Sequence, residues 1–294
     1  MRLQFALIGP ALAAALGLFA PAAGLAAAAR PPVPLPPPPA VYGPADWKPI
    51  DPANLLVIDT TTGRIVVEMI PVFAPDHVER LKTLTRQGYY DGLKFFRVID
   101  DFMAQTGDKA NTGAGNSDLP ALKGQFNFRR GPDLPFSGAR NARGGEFGFV
   151  GSVPVASQPD DLMALTADGK VQTIGLFCPG VAGMARTNEP DTAQTQFFLM
   201  RQGNPALNNQ YTPWGKVVVG LDVVRALAVG EPPANPDSMT RVRIASDLPP
   251  ADRPNVWRID TTSAAFRGHM AAVALAEQES FSPCDIDVPS ELRK

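Results

Sequence analysis

The sequence predicts a mainly β protein whose core is a closed or nearly closed antiparallel barrel flanked by two helices. Apolar runs bounded by turn residues outnumber the stretches with helical periodicity, which indicates more strands than helices. Proline and glycine are abundant, with 31 and 26 residues, whereas charged residues make up only 19% of the chain. That mixture is typical of strands joined by structured loops, and a hydrophobic content of 45% is sufficient for a large core.

The first elements of the predicted barrel are a hairpin, a helix and a further strand. Two apolar strands separated by a Thr-Thr-Gly turn are predicted for residues 55–70, LLVIDTTTGRIVVEMI. A helix is predicted for residues 75–88, PDHVERLKTLTRQG, because they start with Pro and Asp, carry apolar residues at helical spacing and end in glycine. A turn and another strand follow in residues 89–99, YYDGLKFFRVI.

The rest of the chain divides into three parts with different patterns. Residues 109–174 are rich in Gly, Asn, Asp and Pro, and a segment of this length predicts an insertion, either a lid over a site or a surface decoration. Strand and helix patterns then resume, so the barrel domain is predicted to span residues 51–230. The remaining residues, 231–294, are predicted to form a C-terminal extension with a helix at 263–278.

The N-terminus has the composition of a secretory signal peptide. After Arg2 no charged residue follows until Arg30, and the apolar run between them ends in an Ala-x-Ala cleavage pattern. Residues 1–29 are therefore predicted to direct export, to the periplasm if the source is Gram-negative. An uncleaved membrane anchor is the alternative, because the run is long enough to span a bilayer. Residues 30–50 include RPPVPLPPPPA and predict a stiff Pro-rich linker.

Histidine and cysteine are scarce, with two residues each, and this scarcity excludes several classes of site. No cluster of Cys and His could hold a structural zinc ion, and a catalytic triad would have to use His77 or His269. No glycine-rich phosphate-binding motif is present, and a net charge of −2 provides no field that would attract nucleic acid. In an oxidising compartment Cys178 and Cys284 could form a disulfide, and two unpaired buried cysteines are the alternative.

One apolar strand carries a charge that requires an explanation. The run KFFRVIDDFMAQTGD, residues 94–108, predicts a buried strand, yet Arg97 lies within it. A buried guanidinium is costly unless it is paired. Arg97 therefore either points to water, pairs with a nearby carboxylate, or is kept for a ligand. The carboxylates in the same run belong to Asp100, Asp101 and Asp108.

Three motifs in the expected order resemble the cyclophilin family of peptidyl-prolyl cis-trans isomerases. The first is FFRVIDDFMAQTGD at 95–108, which is similar to the family's signature strand running from Phe-His-Arg-Val-Ile to Gln-Gly-Gly-Asp. The second is GMARTNEPDTAQTQFFLM at 183–200, and the third is ALNNQYTPWGKVVVGLDVV at 206–224. The resemblance covers roughly residues 54–108 and 175–229. It implies an eight-stranded antiparallel barrel capped by two helices, with isomerisation of X-Pro bonds as the reaction.

The resemblance also implies which side chains form the site. Arg97 matches the catalytic arginine of the family, and Gln105 matches a glutamine that steadies this arginine and touches the peptide. Alternation along a strand puts Gln196 and Phe198 on one face, whereas Phe197 points into the interior. The substrate-binding residues implied in this way are Phe102, Met103, Gln105, Ala185, Arg186, Gln196, Phe198, Leu207 and Tyr211.

This reaction requires no nucleophile, metal or cofactor. Isomerisation must break amide resonance across a barrier of about 18–20 kcal/mol, and in the twisted transition state the prolyl nitrogen regains a lone pair. A fixed arginine can donate to that lone pair but hardly to the planar ground state, so it binds the transition state selectively. We therefore expect no cofactor, a proline-containing polypeptide as partner, and a monomer that binds no nucleic acid and keeps no membrane span after signal cleavage.

Departures from the family pattern keep two other functions open. Asp100 and Asp101 replace a Pro-Gly turn near Arg97. Arg186 replaces an asparagine, and Ala206 replaces an aromatic residue at the rim of the pocket. These changes motivate an alternative function as a non-catalytic peptide-binding or chaperone module, and a scaffold that displays the insertion or the extension is a third hypothesis. The joint retention of the arginine and the pocket residues favours the enzyme.

Overall fold

The computed structural model of the chain describes residues 40–114, 117–140 and 146–293, so the predicted signal peptide and most of the Pro-rich linker lie outside the described residues. The strands are β1 (Trp47–Pro49), β2 (Leu55–Thr60), β3 (Arg64–Met69), β4 (Arg97–Val98), β5 (Met103–Thr106), β6 (Phe128–Arg130), β7 (Ser137–Arg140), β8 (Glu146–Val150), β9 (Val153–Ser157), β10 (Val171–Gly175), β11 (Val181–Met184), β12 (Phe197–Met200), β13 (Pro213–Val219), β14 (Met239–Ile244), β15 (Val256–Ile259) and β16 (Ser290–Leu292). The helices are α1 (Pro75–Arg86), α2 (Leu221–Ala226) and α3 (Ala264–Glu277).

Eight strands form a curled antiparallel sheet in the order β14-β2-β3-β13-β11-β12-β5-β4. The two edges of this sheet meet just before β4 and β14, where Lys94 bridges to Ser238 and the Phe95 N–H donates to the Asp237 carbonyl at 2.9 Å. Buried residues of α1 and α2 belong to the same hydrophobic core as these strands. The predicted eight-stranded, mainly β architecture is thus confirmed.

The hairpin of β2 and β3 shows why its sequence is apolar without interruption. Leu56 and Ile58 face the main core inside the sheet. Leu55 and Val57 point to the opposite face, where they pack in a second cluster with Leu248. A strand that is buried on both faces has no polar side to alternate with the apolar one.

The last barrel strand corrects the predicted end of the domain. β14 pairs with β2 from Met239 opposite Thr60 to Ile244 opposite Leu56. The boundary predicted at residue 230 is therefore too early, because the Pro-rich stretch before β14 is a loop inside the barrel domain. The predicted linker likewise extends too far, since β1 lies within residues 30–50 and pairs with β15.

The predicted insertion contains a sheet of its own. Strands β6 to β10 form a five-stranded antiparallel sheet in the order β6-β10-β9-β8-β7. Its strands have three to five residues, and Gly148 and Pro154 lie within two of them, so the sequence shows little periodicity. The short strand-like runs EFGFVGSV at 146–153 and KVQTIGLF at 170–177 correspond to β8, β9 and β10 of this sheet.

The C-terminal extension packs against this second sheet. Helix α3 lies within the predicted range 263–278, and it begins after Ser263, whose hydroxyl accepts a hydrogen bond from the Phe266 N–H at 3.2 Å. Phe266 and Met270 pack with Phe149 of β8 in a separate hydrophobic cluster. None of the helices among the described residues is both long enough and apolar enough to cross a bilayer.

A disulfide joins the extension to the barrel. Cys178 lies just before β11 and is bonded to Cys284, 106 residues further along the chain.

Strand β15 lies between β1 and β16 in a three-stranded sheet, so both ends of the described chain meet there. The described parts of residues 128–175 and 256–292 are referred to below as the added region.

Candidate active site

A pocket of about 120 Å³ opens on the barrel beside β4, β5 and β12. It collects nine of the ten catalytic and substrate-binding residues that the resemblance implies; the tenth, Gln196, lines an adjoining pocket. The lining consists of Arg97, Phe102, Met103, Gln105, Ala185, Arg186, Phe198, Leu207 and Tyr211.

Strand register brings the central residues of the pocket together. Gln105 of β5 pairs with Arg97 of β4 on one side and with Phe198 of β12 on the other. Cross-strand partners point to the same face of a sheet, so the three side chains form one row across three strands. Phe197 points the other way, as alternation predicts, and its ring packs edge-on against Trp214 in the core.

Aromatic side chains form the apolar wall of the pocket. The ring of Phe198 lies 5.8 Å from the ring of Tyr211 and 5.7 Å from that of Phe177. Phe177 supports the pocket from behind and was not predicted, because no motif includes it. Gly183 allows these rings to approach β11, since a Cβ there would lie 2.6 Å from atoms of both Phe177 and Phe198.

Glu231 is the partner of the unusual arginine. The Nε–H of Arg97 donates to Glu231 Oε2 at 2.6 Å, and the two side chains are 38% and 52% exposed. Among the described residues, the two terminal nitrogens of Arg97 donate no hydrogen bond to a protein acceptor. The guanidinium is therefore held along one edge while its terminal N–H groups remain available at the pocket.

The aspartates proposed as partners from the sequence are engaged elsewhere. Asp100 forms an ion pair with Arg201 at 2.5 Å, and Arg201 also donates to backbone carbonyls at the end of α2. Asp108 accepts the backbone N–H groups of Ala110 and Gly113, which fixes the following turn. Pairing of Arg97 with Asp100 or Asp108, which was one of the alternatives left open by the sequence, is therefore contradicted.

Gln105 and Gln196 connect the apolar pocket to a polar one. Gln105 Nε2 donates to Gln196 Oε1 at 3.0 Å, so this amide contacts its neighbouring glutamine as well as the pocket. The adjoining pocket has a volume of about 170 Å³ and is lined by Gln105, Gly113, Ala185, Arg186, Thr187, Thr192, Gln194, Thr195 and Gln196. Two side chains on one extended ligand could therefore occupy the two pockets.

Arg186 adds a cation where the two pockets meet. Its Nε donates to the Gln210 carbonyl at 3.1 Å, and Nη1 donates to the Thr187 carbonyl at 2.8 Å. The guanidinium lies 4.3 Å from the ring centroid of Tyr211. Within the described part of the chain it forms no ion pair, so its positive charge is not neutralised by a carboxylate.

The backbone beside the pockets offers hydrogen-bonding groups to a peptide. The Ala185 N–H donates to the Gln196 carbonyl at 2.9 Å. In the described residues, neither the Ala185 carbonyl nor the Arg186 N–H has a backbone partner. An extended chain lying along this edge could pair with both groups.

Other candidate features lie away from the pockets. His77 is buried in α1, where its ring Nε2 lies 2.9 Å from the Lys123 carbonyl and desolvation lowers its pKa. Across the described ranges no three His, Cys, Asp or Glu side chains are grouped as metal ligands. Of the predicted insertion, Gly113 is the one described residue that lines either pocket. Of the two alternatives, a lid or a surface decoration, the five-stranded sheet therefore agrees better with the decoration.

Comparisons with known proteins agree with this geometry. The family model described as cyclophilin type peptidyl-prolyl cis-trans isomerase/CLD matches residues 55–246, which include every strand from β2 to β14. A probable peptidyl-prolyl cis-trans isomerase of Brucella suis biovar 1 is 36% identical over 202 residues, which cover 67% of this chain and 85% of the relative. The human peptidyl-prolyl cis-trans isomerase-like 1 is 27% identical over 210 residues, 71% of this chain and 98% of that protein.

A solved structure is similar over a longer part of the chain. The crystal structure of cyclophilin AquaCyp293 from Hirschia baltica superposes with a TM-score of 0.76 at 35% sequence identity. The superposition covers 85% of this chain and 94% of that one. This share exceeds that of residues 55–246, so the similarity extends beyond the family domain.

Proposed function

The chain belongs to the cyclophilin-type peptidyl-prolyl cis-trans isomerase family, and from this membership we propose that it isomerises X-Pro bonds of exported proteins with Arg97 as the catalytic residue. The observation that carries the proposal is the position of Arg97 at the apolar pocket, where its Nε–H is bonded to Glu231 and its terminal N–H groups form no hydrogen bond with the described residues. Its substrate is an extended X-Pro segment of an unfolded or flexible chain.

The reaction follows from the two halves of the pocket. The proline ring packs against Phe198 and its apolar neighbours, while backbone groups at Ala185 and Arg186 pair with the residues before it. When the amide twists, its nitrogen becomes pyramidal and accepts a hydrogen bond from Arg97. Rotation about the X-Pro bond is then faster, because this hydrogen bond stabilises the twisted transition state and cannot form with the planar amide.

Export is supported by two features of the chain. The apolar N-terminal segment before Arg30 has the composition of a cleaved signal peptide. The bond between Cys178 and Cys284 is of a kind that persists in oxidising compartments. We infer a location outside the cytoplasm, which is the periplasm in a Gram-negative cell.

Replacement of the arginine tests the catalytic proposal. Arg97→Ala is expected to lower kcat/KM for an Ala-Pro-Phe type peptide by about 100-fold, because one preorganised donor is lost. An unchanged melting temperature would show that the fold is intact, since Arg97 is partly exposed. A variant as active as the wild type would eliminate the arginine mechanism.

Fractionation tests the proposed location. The full chain, expressed in a Gram-negative host, is expected in the periplasm with an N-terminus close to Arg30. Retention in the membrane with Met1 intact would instead identify the segment as an anchor. Recovery from the cytoplasm would contradict export.

A further inference from the structure

We propose that Glu231 is a positioning residue for Arg97, which holds the guanidinium so that its terminal N–H groups face the prolyl nitrogen in the transition state. The inference rests on the catalytic role proposed above for Arg97. Its basis is the hydrogen bond of 2.6 Å between Arg97 Nε and Glu231 Oε2, which joins residues 134 positions apart in the sequence.

Backbone pairing puts the two side chains next to each other. Val98 and Gly230 form an antiparallel bridge in which each N–H donates to the other carbonyl at 2.9 Å. The next pair in this register is Arg97 with Glu231, at a position where the backbones do not exchange hydrogen bonds. Side chains are closest at such positions. The backbone register therefore places Arg97 and Glu231 opposite each other, and their contact is a consequence of the fold.

The loop that carries Glu231 is itself fixed. Gly230 has φ +154°, and a Cβ at this residue would lie 2.5 Å from Pro233 Cα, so another residue would disturb the loop. Asp237 closes the loop, because its carboxylate accepts the Ala228 N–H at 2.9 Å and the Thr61 hydroxyl at 2.7 Å. Glu231 is thus presented from a constrained backbone.

Glu231 could either assist or inhibit catalysis by Arg97, and the edge of the guanidinium that it contacts distinguishes the two effects. A carboxylate that inhibited Arg97 would bridge its terminal nitrogens and compete with the substrate. Glu231 instead accepts from Nε, and leaves the terminal N–H groups without a protein acceptor among the described residues. This contact restricts the rotamers of the Arg97 side chain before the substrate binds. The side chain therefore loses less conformational entropy when the transition state forms.

The expected signature is a change in kcat without a change in KM. Arg97 donates strongly only to the twisted amide, whereas the proline ring is bound by apolar contacts in both states. We expect Glu231→Ala and Glu231→Gln to lower kcat about two- to fivefold, in line with the weakness of an exposed ion pair. Glu231→Asp should recover part of the loss. Asp247→Ala, which removes the carboxylate partner of Arg86 Nε at similar exposure, is the matched control and should leave kcat unchanged.

A double-mutant cycle on the full-length protein separates this inference from the catalytic proposal. If Glu231 acts through Arg97, Glu231→Ala causes no further loss in the Arg97→Ala background. Loss of activity in Arg97→Ala together with a normal or raised kcat in Glu231→Ala would overturn the positioning role and leave the catalytic role in place. Losses that add in the double variant would overturn it as well. Full activity of Arg97→Ala would remove both.

A spectroscopic readout tests the contact without relying on turnover. The Nε–H resonance of Arg97, assigned by its absence in Arg97→Ala, is expected to exchange slowly with water in the wild type because it is hydrogen-bonded. In Glu231→Ala its exchange should accelerate at an unchanged melting temperature. Equal exchange rates in the two proteins would show that the bond does not hold the guanidinium in solution.

Discussion

The barrel and the added region are both packed around buried aromatic residues, yet different contacts fix their geometry. In the barrel, strand register aligns Arg97, Gln105 and Phe198 in one row. In the added region, α3 is held on the second sheet by a cluster that includes Phe149 and Phe266. The comparison indicates that the pocket depends on the barrel, whereas the added region contributes stability.

Truncation of one buried phenylalanine in each region tests this division most strongly. Phe149 is fully buried, with its ring 5.2 Å from that of Phe266, and Phe198 is 5% exposed in the pocket wall. We expect Phe149→Ala and Phe198→Ala each to lower the free energy of unfolding by about 3–5 kcal/mol, because both leave a cavity. Phe198→Ala should also raise KM about tenfold, since the proline ring loses an apolar contact.

The two variants serve as controls for each other. Chemical denaturation measures the stability of both, and the isomerisation assay is run at a temperature where both are folded. If Phe149→Ala changed kcat or KM under those conditions, the added region would take part in shaping the pocket and the division would be wrong.

Removal of the disulfide is the next largest change. The bond between Cys178 and Cys284 closes a loop of 106 residues, and the double variant Cys178→Ser/Cys284→Ser is expected to lose about 2–4 kcal/mol of stability. The same segment carries Asp287, which lies 3.6 Å from the Nζ of the buried Lys216, so its release would also leave this amine without its partner. Thermal unfolding with and without a reductant measures the effect. Wild-type kcat/KM that falls on reduction at 25 °C would contradict a purely stabilising role.

The residues of the candidate site that lie within the three sequence motifs could be predicted from the sequence. Each motif contributes a strand or an adjacent loop, and neighbouring strands then bring the residues together. Glu231 could not be found in this way, because its partner Arg97 lies 134 residues earlier and the pairing appears only once β4 meets the loop before β14. For the same reason Asp100 could not be assigned to Arg201 in advance.

The added region was harder to predict for a different physical reason. Its strands are short, and Gly148 and Pro154 weaken their pattern, so the sheet depends on tertiary contacts with α3 more than on local preference. The likeness to the Hirschia baltica cyclophilin covers more of the chain than the family model does. The final helix was evident from its helical spacing, and the runs at 146–153 and 170–177 indicated strands without showing how they pair.

The smallest predicted effect concerns selectivity and the charge of Arg186. In an extended peptide, the residue two positions before the proline points to the same side as the proline ring. We therefore expect its side chain to lie toward the polar pocket, whose wall includes Arg186 and, among the described residues, no carboxylate. We expect a peptide with Glu at that position to be isomerised about threefold more efficiently than one with Lys.

The prediction is tested by comparing the Glu and Lys peptides in the wild type and in a variant that lacks the Arg186 cation. Arg186→Gln should abolish the ratio of kcat/KM between the Glu and Lys peptides, and added salt should reduce it in the wild type because exposed charges are screened. Arg267→Gln removes an equal charge from the exposed face of α3 and should leave the ratio intact. A ratio that falls equally in both variants would mean that net charge attracts the peptide. In that case the preference for the Glu peptide would arise from the charge of the whole surface. The pocket of the barrel would then not determine which peptide is preferred.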